Sequence, residues 1–457
     1  MDWRVADIAE LIDGASWRVP PEAGLRVLGA SIYAPTLRAD DMVFVRDAQG
    51  DFGITPGKLS AQGRLALLAI VSPTAADLPQ ARAVLQVPDQ QKALFALASA
   101  ARARLVAPVV GVTGSAGKTS VTAMIAHCLQ GAGPVYATRF GANMARGISW
   151  NLCCVPESVA YCVLEMAIRQ MLWNSRLARP DVSVFTNIHL AHLVYHKDLR
   201  TIAARKSQIF SAMSPGAVAV VNADMHESAT VQAAALAQGL RLLTYGQAAC
   251  TDIRPIPATG APGTVTLDIH GHRMTVPTVG SGPHAIENAM AIAGVLCALN
   301  QPVDVLMVRL ASFEALAGRG MVVQVAVKGG SAQILDHSYN ANPASMRAAL
   351  DELGRLPCTG RRIAVLGQMA ELGAHSAEQH GLLVRDLKDR PLDRIYLIGE
   401  GYDSCSQAVS KDTRIVRMEM VDLQRQFEAL LKAGDVVMLK GSNSTGLYRF
   451  ADRFRQN

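Results

Sequence analysis

Between Val109 and Ser120 the chain reads VVGVTGSAGKTS, an order of residue types suited to cradling phosphate. An apolar run that would pack as a strand ends in the turn Gly114-Ser115-Ala116-Gly117. Lys118, Thr119 and Ser120 follow, and SVTAMIAHCL continues with helical periodicity. The glycines permit a tight backbone whose N–H groups point inward, and the helix N-terminus adds positive potential. Lys118 can reach outer phosphates, and the Thr119 hydroxyl can sit on Mg²⁺. A general phosphate loop would place its first glycine where this chain has Val112, so the fit is to the shorter form G-x-x-G-K-T.

Other candidates stand where strand ends would bring them to the same crevice, since ligands of open parallel sheets sit at the carboxyl ends of strands. Glu165 ends the apolar run YCVLE and could share a Mg²⁺ ion with Thr119, although a glutamate in such a place is ordinarily solvated. His192 follows VSVFTNI by a short loop, where a lone histidine is usually packed or exposed without duty. Lys206 lies in the helical TIAARKSQIF, and its bland role is a solvated face. Asn342 and Pro343 suit the N-cap and first position of a helix ASMRAALDEL. Asp336, ending the strand AQIL, and Asn340, in an Asn-Ala-Asn run, are harder to explain as solvation.

The elements that must position these residues fit an α/β chain of three domains. The length of 457 residues suits that number, and 50% hydrophobic residues supply the cores. No apolar run reaches the ~20 residues of a membrane span. The acidic start MDWRVADIAEL lacks a secretory pattern and predicts a cytoplasmic protein. Eight cysteines without a C-x-x-C pair read as reduced thiols, and a net charge of +6 without a basic block gives no warrant for nucleic acid. Residues 1–106 read as a small α/β domain with a helix, QQKALFALASAARARL, leading out of it. Residues 107–320 alternate strands and helices as a doubly wound sheet does, and TVTLDIHGHRMTV reads as an antiparallel hairpin extending it. Residues 321–457 hold AQILDHSYNA, RRIAVLG, RIYLIGE and DVVMLKG as strands of a Rossmann-like domain.

Taken together, TGSAGKTS (113–120), VLEMA (163–167), LARPDVSVFTNIHLAHL (177–193), IAARKSQIF (202–210), GPHAIENAMA (282–291), AGRG (317–320), DHSYNANPASM (336–346), VLGQMAELG (365–373) and KGSNS (440–444) resemble the Mur ligase family, in order over about 107–445. Within it, the likeness is to ligases that add D-alanyl-D-alanine to UDP-MurNAc-tripeptide for peptidoglycan. The resemblance implies a substrate-anchoring first domain, a central ATPase domain and a third domain that closes over ATP. It also implies an ATP-dependent monomer that activates a small carboxylate as an acyl phosphate and passes it to an amine. Gly114, Ser115, Gly117, Lys118, Thr119 and Ser120 then match the phosphate contacts. Thr119 and Glu165 match ligands of one Mg²⁺, His192 serves a second, and Lys206 matches a lysine carbamylated by CO₂. Asn288 aligns with an adenine-side contact, Arg319 with an ATP contact, and Asp336, Asn340 and Asn342 with a nucleotide-facing loop. Lys118, Lys206 and His192 are the expected catalytic residues.

The departures cluster on the acceptor side. Tyr33-Ala34-Pro35 stands where an Asp-Ser-Arg element would hold uridine, and Gly141 and Met144 replace two loop asparagines, leaving Asn143. After Glu165 the usual small and polar run becomes Met166-Ala167-Ile168-Arg169-Gln170. Gln368 stands for an aspartate, and Asn443 for an arginine that would clamp a carboxylate. These edits leave open a different carboxylate and amine pair, and a non-catalytic nucleotide-binding protein is the remaining alternative.

Overall fold

The computed structural model describes residues 2–46, 52–59, 65–71, 81–189, 198–256, 261, 263–405 and 409–455. Its centre is a nine-stranded sheet built on Val109–Thr113. That strand is buried along its whole length, as expected of an apolar run with parallel neighbours on both sides. Tyr161–Glu165 and then Val135–Ala137 pair on one flank. On the other come Val182–Phe185, Val218–Asn222, Arg241–Tyr245 and Ile253–Ile256, all parallel. The strand order therefore reverses at Val109–Thr113, and a crevice opens at its carboxyl end. Thr264–Ile269 and His272–Pro277 extend the sheet as an antiparallel hairpin, in agreement with the alternation of TVTLDIHGHRMTV.

A six-stranded sheet holds Met321–Val327, Gly330–His337, Val436–Lys440, Arg362–Gly367, Arg394–Ile398 and Ile415–Arg417 in that order, parallel except for the first pair. The helix Pro343–Arg355 packs against it and starts at a full capping box. Asn342 accepts from the Ser345 backbone at 2.9 Å, and the Ser345 hydroxyl bonds the Asn342 backbone at 3.0 Å.

A five-stranded sheet near the N-terminus runs Ser16–Val19, Ala81–Gln86, Leu65–Ile70, Met42–Phe44, Ala30–Ser31. Its helix Gln90–Arg104 lies on the central unit's Ala145–Cys154, and the two units share one hydrophobic core. Trp150, fully buried, donates its indole N–H to the Ala30 carbonyl at 2.7 Å. Arg102 ties the helix end to the Ala178 carbonyl at 2.6 Å and to Asp181 at 3.1 Å. Among the described residues, no helix is long and apolar enough to cross a membrane, and no group of His, Cys, Asp and Glu is placed to hold a metal by itself. All eight cysteines are free.

Candidate active site

The turn after Val109–Thr113 takes its shape from two glycines and a partner strand. Gly117 adopts φ +76° as the N-cap of Lys118–Leu129, a left-handed conformation that favours glycine. A Cβ on Gly114 would collide with the Thr186 side chain. Asn187, just past the neighbouring strand, fixes the turn by accepting from Ser115 N at 3.0 Å and from Ala116 N at 2.8 Å. Those two N–H groups are thereby spent. The donors left for an anion are the N–H groups at the helix start, Gly117, Lys118, Thr119 and Ser120, which have no acceptor within the helix.

Both candidate lysines converge on one carbonyl. Lys118 Nζ donates to Gly114 O at 2.9 Å and Lys206 Nζ to the same oxygen at 2.7 Å. Lys206 is only 2% exposed. Burial, and then the neighbouring Lys118, hold its amine well below the usual lysine range, with Glu165 opposing. Lys118 is lowered too, by burial first. Glu165, itself buried, accepts the Thr119 hydroxyl at 2.5 Å and the Asn143 amide at 2.7 Å, while Thr138 Oγ1 accepts its N–H. A hydroxyl and a carboxylate in contact beside an anion cradle form the hard-oxygen donor set that Mg²⁺ takes with one or two protein groups plus phosphate oxygens.

These groups open on a cavity of roughly 750 Å³ between the central and six-stranded sheets, within the range of small-molecule sites. Ser115, Gly117, Lys118, Thr119, Ser120, Glu165, Lys206, Asn288, Arg319, Asn340 and Asn342 all line it. Gly114 does not, and acts through its carbonyl. His192 lies outside the described residues. Asp336 requires a correction, because it does not face the cavity. At 1% exposure its carboxylate accepts from Gly318 N at 2.8 Å, Ser338 Oγ at 2.5 Å and the Arg455 guanidinium at 2.7 Å. Its effect on a ligand is indirect. The Gly318–Gly320 turn that it pins carries Arg319, whose guanidinium stacks 4.2 Å above the Tyr339 ring.

Sequence reasoning passed over a polar wall on the far side. Glu352, from the helix Pro343–Arg355, accepts from His337 Nε2 at 2.9 Å and lies 4.0 Å from His284 Nε2 of the central unit. Burial would raise the Glu352 carboxyl, but His337, His284 and Lys440 outweigh it, and the net shift is downward. Lys440, which donates to the Asn340 carbonyl at 3.0 Å, is pushed down to about 7 by burial and by Arg319. Glu287 is pushed up to about 7 by burial and by Asp224. Lys440 belongs to the run KGSNS and His284 to GPHAIENAMA, so the signal was present without a role attached; Glu352 had none. Of the edited positions, Gln368 spends its side-chain oxygen on Gly401 N at 2.8 Å, and Asn443 is exposed in a short turn; neither lines the cavity.

The phosphate turn, the Thr119–Glu165 pair and the buried lysine define a site suited to a nucleoside triphosphate and its Mg²⁺. Residues 112–296 match the Mur ligase middle domain, and residues 318–443 the family's C-terminal unit, described as Mur ligase, glutamate ligase domain. The UDP-N-acetylmuramoyl-tripeptide--D-alanyl-D-alanine ligase of Escherichia coli K12 is 30% identical, with 86% of each chain covered. Two solved structures share the fold at lower identity. The UDP-N-acetylmuramoylalanyl-D-glutamyl-2,6-diaminopimelate--D-alanyl-D-alanyl ligase of Acinetobacter baumannii has a TM-score of 0.83 at 22% identity, covering 100% of this chain and 99% of that one. MurF ligase of Thermotoga maritima in complex with ADP has a TM-score of 0.74 at 23% identity, covering 94% and 97%. The chain belongs to the Mur ligase family. It is an ATP-dependent ligase that forms a C–N bond between a carboxylate and an amine.

Proposed function

We propose that the chain joins D-alanyl-D-alanine to a UDP-N-acetylmuramoyl-tripeptide ending in 2,6-diaminopimelate, a step of peptidoglycan precursor synthesis. The observation that carries the reading is the convergence of Lys118, Lys206, Thr119 and Glu165 around the Gly114 turn, in a chain that matches a UDP-N-acetylmuramoyl-tripeptide--D-alanyl-D-alanine ligase over 86% of its length. The first helical turn and Lys118 hold the phosphates of ATP, and Arg319, Asn288, Asn340 and Asn342 surround the rest of the nucleotide. Thr119 and Glu165 hold a Mg²⁺ ion, which when bound neutralises the repulsion between carboxylate and triphosphate. His192 serves a second ion.

Lys206 as an ammonium would oppose that cation. Burial instead favours its neutral amine, the form that adds CO₂ to become a carbamate, an anionic oxygen ligand. We expect Lys206→Ala to lose at least about 100-fold in kcat, the scale of one removed electrostatic group, and to regain part of it with a short-chain carboxylic acid. A fully active variant would refute the carbamate. The three-way division at 1–106, 107–320 and 321–457, a cytoplasmic location, a monomeric state and the absence of a nucleic-acid partner belong to the same reading. The direct test is ADP release with the tripeptide substrate and D-alanyl-D-alanine; folded protein without turnover would sink it.

A second reading, a different acid, is favoured by the Ser31–Asp41 segment. The Ser31 hydroxyl donates to Asp41 at 2.7 Å and the Thr36 hydroxyl to the Tyr33 carbonyl at 2.9 Å, so neither donor is free for a uridine. ADP release with a panel of other acids in place of the UDP-sugar decides between the two.

A further inference from the structure

The cavity wall next to Glu165 carries a cation that the chemistry above does not use. Arg169 lines the cavity and is exposed, and no carboxylate among the described residues pairs with it. The backbone beneath Arg169 is firmly built. Gln170 takes φ +63°, a left-handed conformation that disfavours any residue with a side chain. Asn174, fully buried, donates its amide to the Ala167 carbonyl at 3.1 Å and reaches the Arg169 carbonyl at 3.5 Å. Ala167 N bonds the Asn143 carbonyl at 2.9 Å, which ties the turn to the loop that also supports Glu165.

The direction follows from the next helix, Met171–Ala178. Its Trp173 stacks on Phe95 of the first unit's helix, with ring centroids 6.1 Å apart. The turn that carries Arg169 therefore leads into the helix by which the central unit meets the first unit. The cavity's other arginines stand elsewhere: Arg205 adjoins Lys206 at the phosphate end, and Arg319 stacks on Tyr339 of the third unit.

Resting on the function proposed above, the geometry points to Arg169 as the residue that holds a second carboxylate of the acid substrate, beside the one that is activated. A guanidinium suits this because it is always charged and binds a carboxylate through two parallel N–H bonds. Ile168 and Met144, which line the same wall, supply apolar surface for the methylenes between two carboxylates. Diaminopimelate is a diacid of that form.

The test is steady-state ADP release with two UDP-MurNAc-tripeptides, one ending in 2,6-diaminopimelate and one in lysine, which lacks the second carboxylate. Wild-type enzyme favours the diaminopimelate form by about 10- to 100-fold in kcat/KM, chiefly through KM, the range of a charge-assisted hydrogen-bond pair. Arg169→Ala erases that preference, Arg169→Lys keeps part of it, and both leave the KM for ATP and the thermal unfolding curve unchanged. A preference that survives Arg169→Ala overturns the inference, as does a wild type that uses both forms equally well. A wild type that uses neither overturns the proposed function, and this inference with it.

Discussion

Asp336→Ala separates a side chain that touches nucleotide from one that holds the site in shape. In the structure the carboxylate is 1% exposed and pairs with Arg455, whose side chain is 9% exposed. Breaking a buried ion pair costs about 3–5 kcal/mol. Arg455 retains Asp452 as a second partner, so the lower end, about 3 kcal/mol, applies here. Gly318 N, also buried, loses its acceptor, which adds about 1 kcal/mol. A loss of about 4 kcal/mol is therefore expected in the unfolding of the six-stranded unit, without any nucleotide present. Urea titration followed by circular dichroism reads it as a shift in midpoint at unchanged slope. Arg455→Ala provides the second corner of a double-mutant cycle, with strong coupling expected between two side chains in contact. The KM for ATP rises as well, because the turn carrying Arg319 loosens. If Asp336→Ala had wild-type stability without nucleotide and weakened only ATP binding, the carboxylate would be a ligand contact, and the structural assignment would be wrong.

Gly114→Ala drives a Cβ into the Thr186 side chain and displaces the carbonyl that both lysines share, so kcat/KM should fall on the order of 100-fold while the fold survives, as judged by near-wild-type circular dichroism. Unaltered kinetics would show that the close approach does not matter. Glu352 gives an acid-stability prediction. Its folded-state value is below the ordinary 4.5, so its contribution is fully present above that value and is lost as pH falls through the depressed one. Glu352→Gln should flatten the decline of unfolding free energy below pH 4.5, and an identical slope in both proteins would count against the His337 contact.

The phosphate turn was legible because its chemistry is contiguous. Gly114 to Ser120 are neighbours in sequence and in space, and their spacing alone defines strand, turn and helix. The hairpin at 264–277 was equally plain, since a two-residue alternation with a central glycine admits few other folds. The helix Leu447–Arg455 was missed although Leu447, Phe450, Ala451 and Phe454 follow the spacing of a buried helical face; three arginines among nine residues obscured it. Asp336 was assigned to a nucleotide-facing loop through the family resemblance, and nothing near it in sequence signals its partner, Arg455, which lies 119 residues away. Glu352 sits beside Asp351 in a helix whose charged residues look solvated, and only the approach of His337 and His284 makes it a buried carboxylate.

The same distinction explains why the two halves of the reaction read so differently. Groups that handle ATP must act on a fixed triphosphate, so a turn, a strand end and a helix at set spacings suffice, and each is a short string of residues. The wall proposed to meet the acid substrate is assembled from distant segments: Asn143 and Met144 before one helix, Ile168 and Arg169 on a turn stapled by Asn174, and a first unit docked through Trp173 and Phe95. Replacing small polar residues after Glu165 with Ile168 and Arg169 is opaque in sequence, because an arginine next to a helix is usually a solvated charge. In the fold it becomes a cation without an acid partner among the described residues, in the wall of a cavity whose buried carboxylate, Glu165, is already engaged by Thr119 and Asn143. Selectivity for the acid can therefore change through that turn while the cradle for ATP stays as it is.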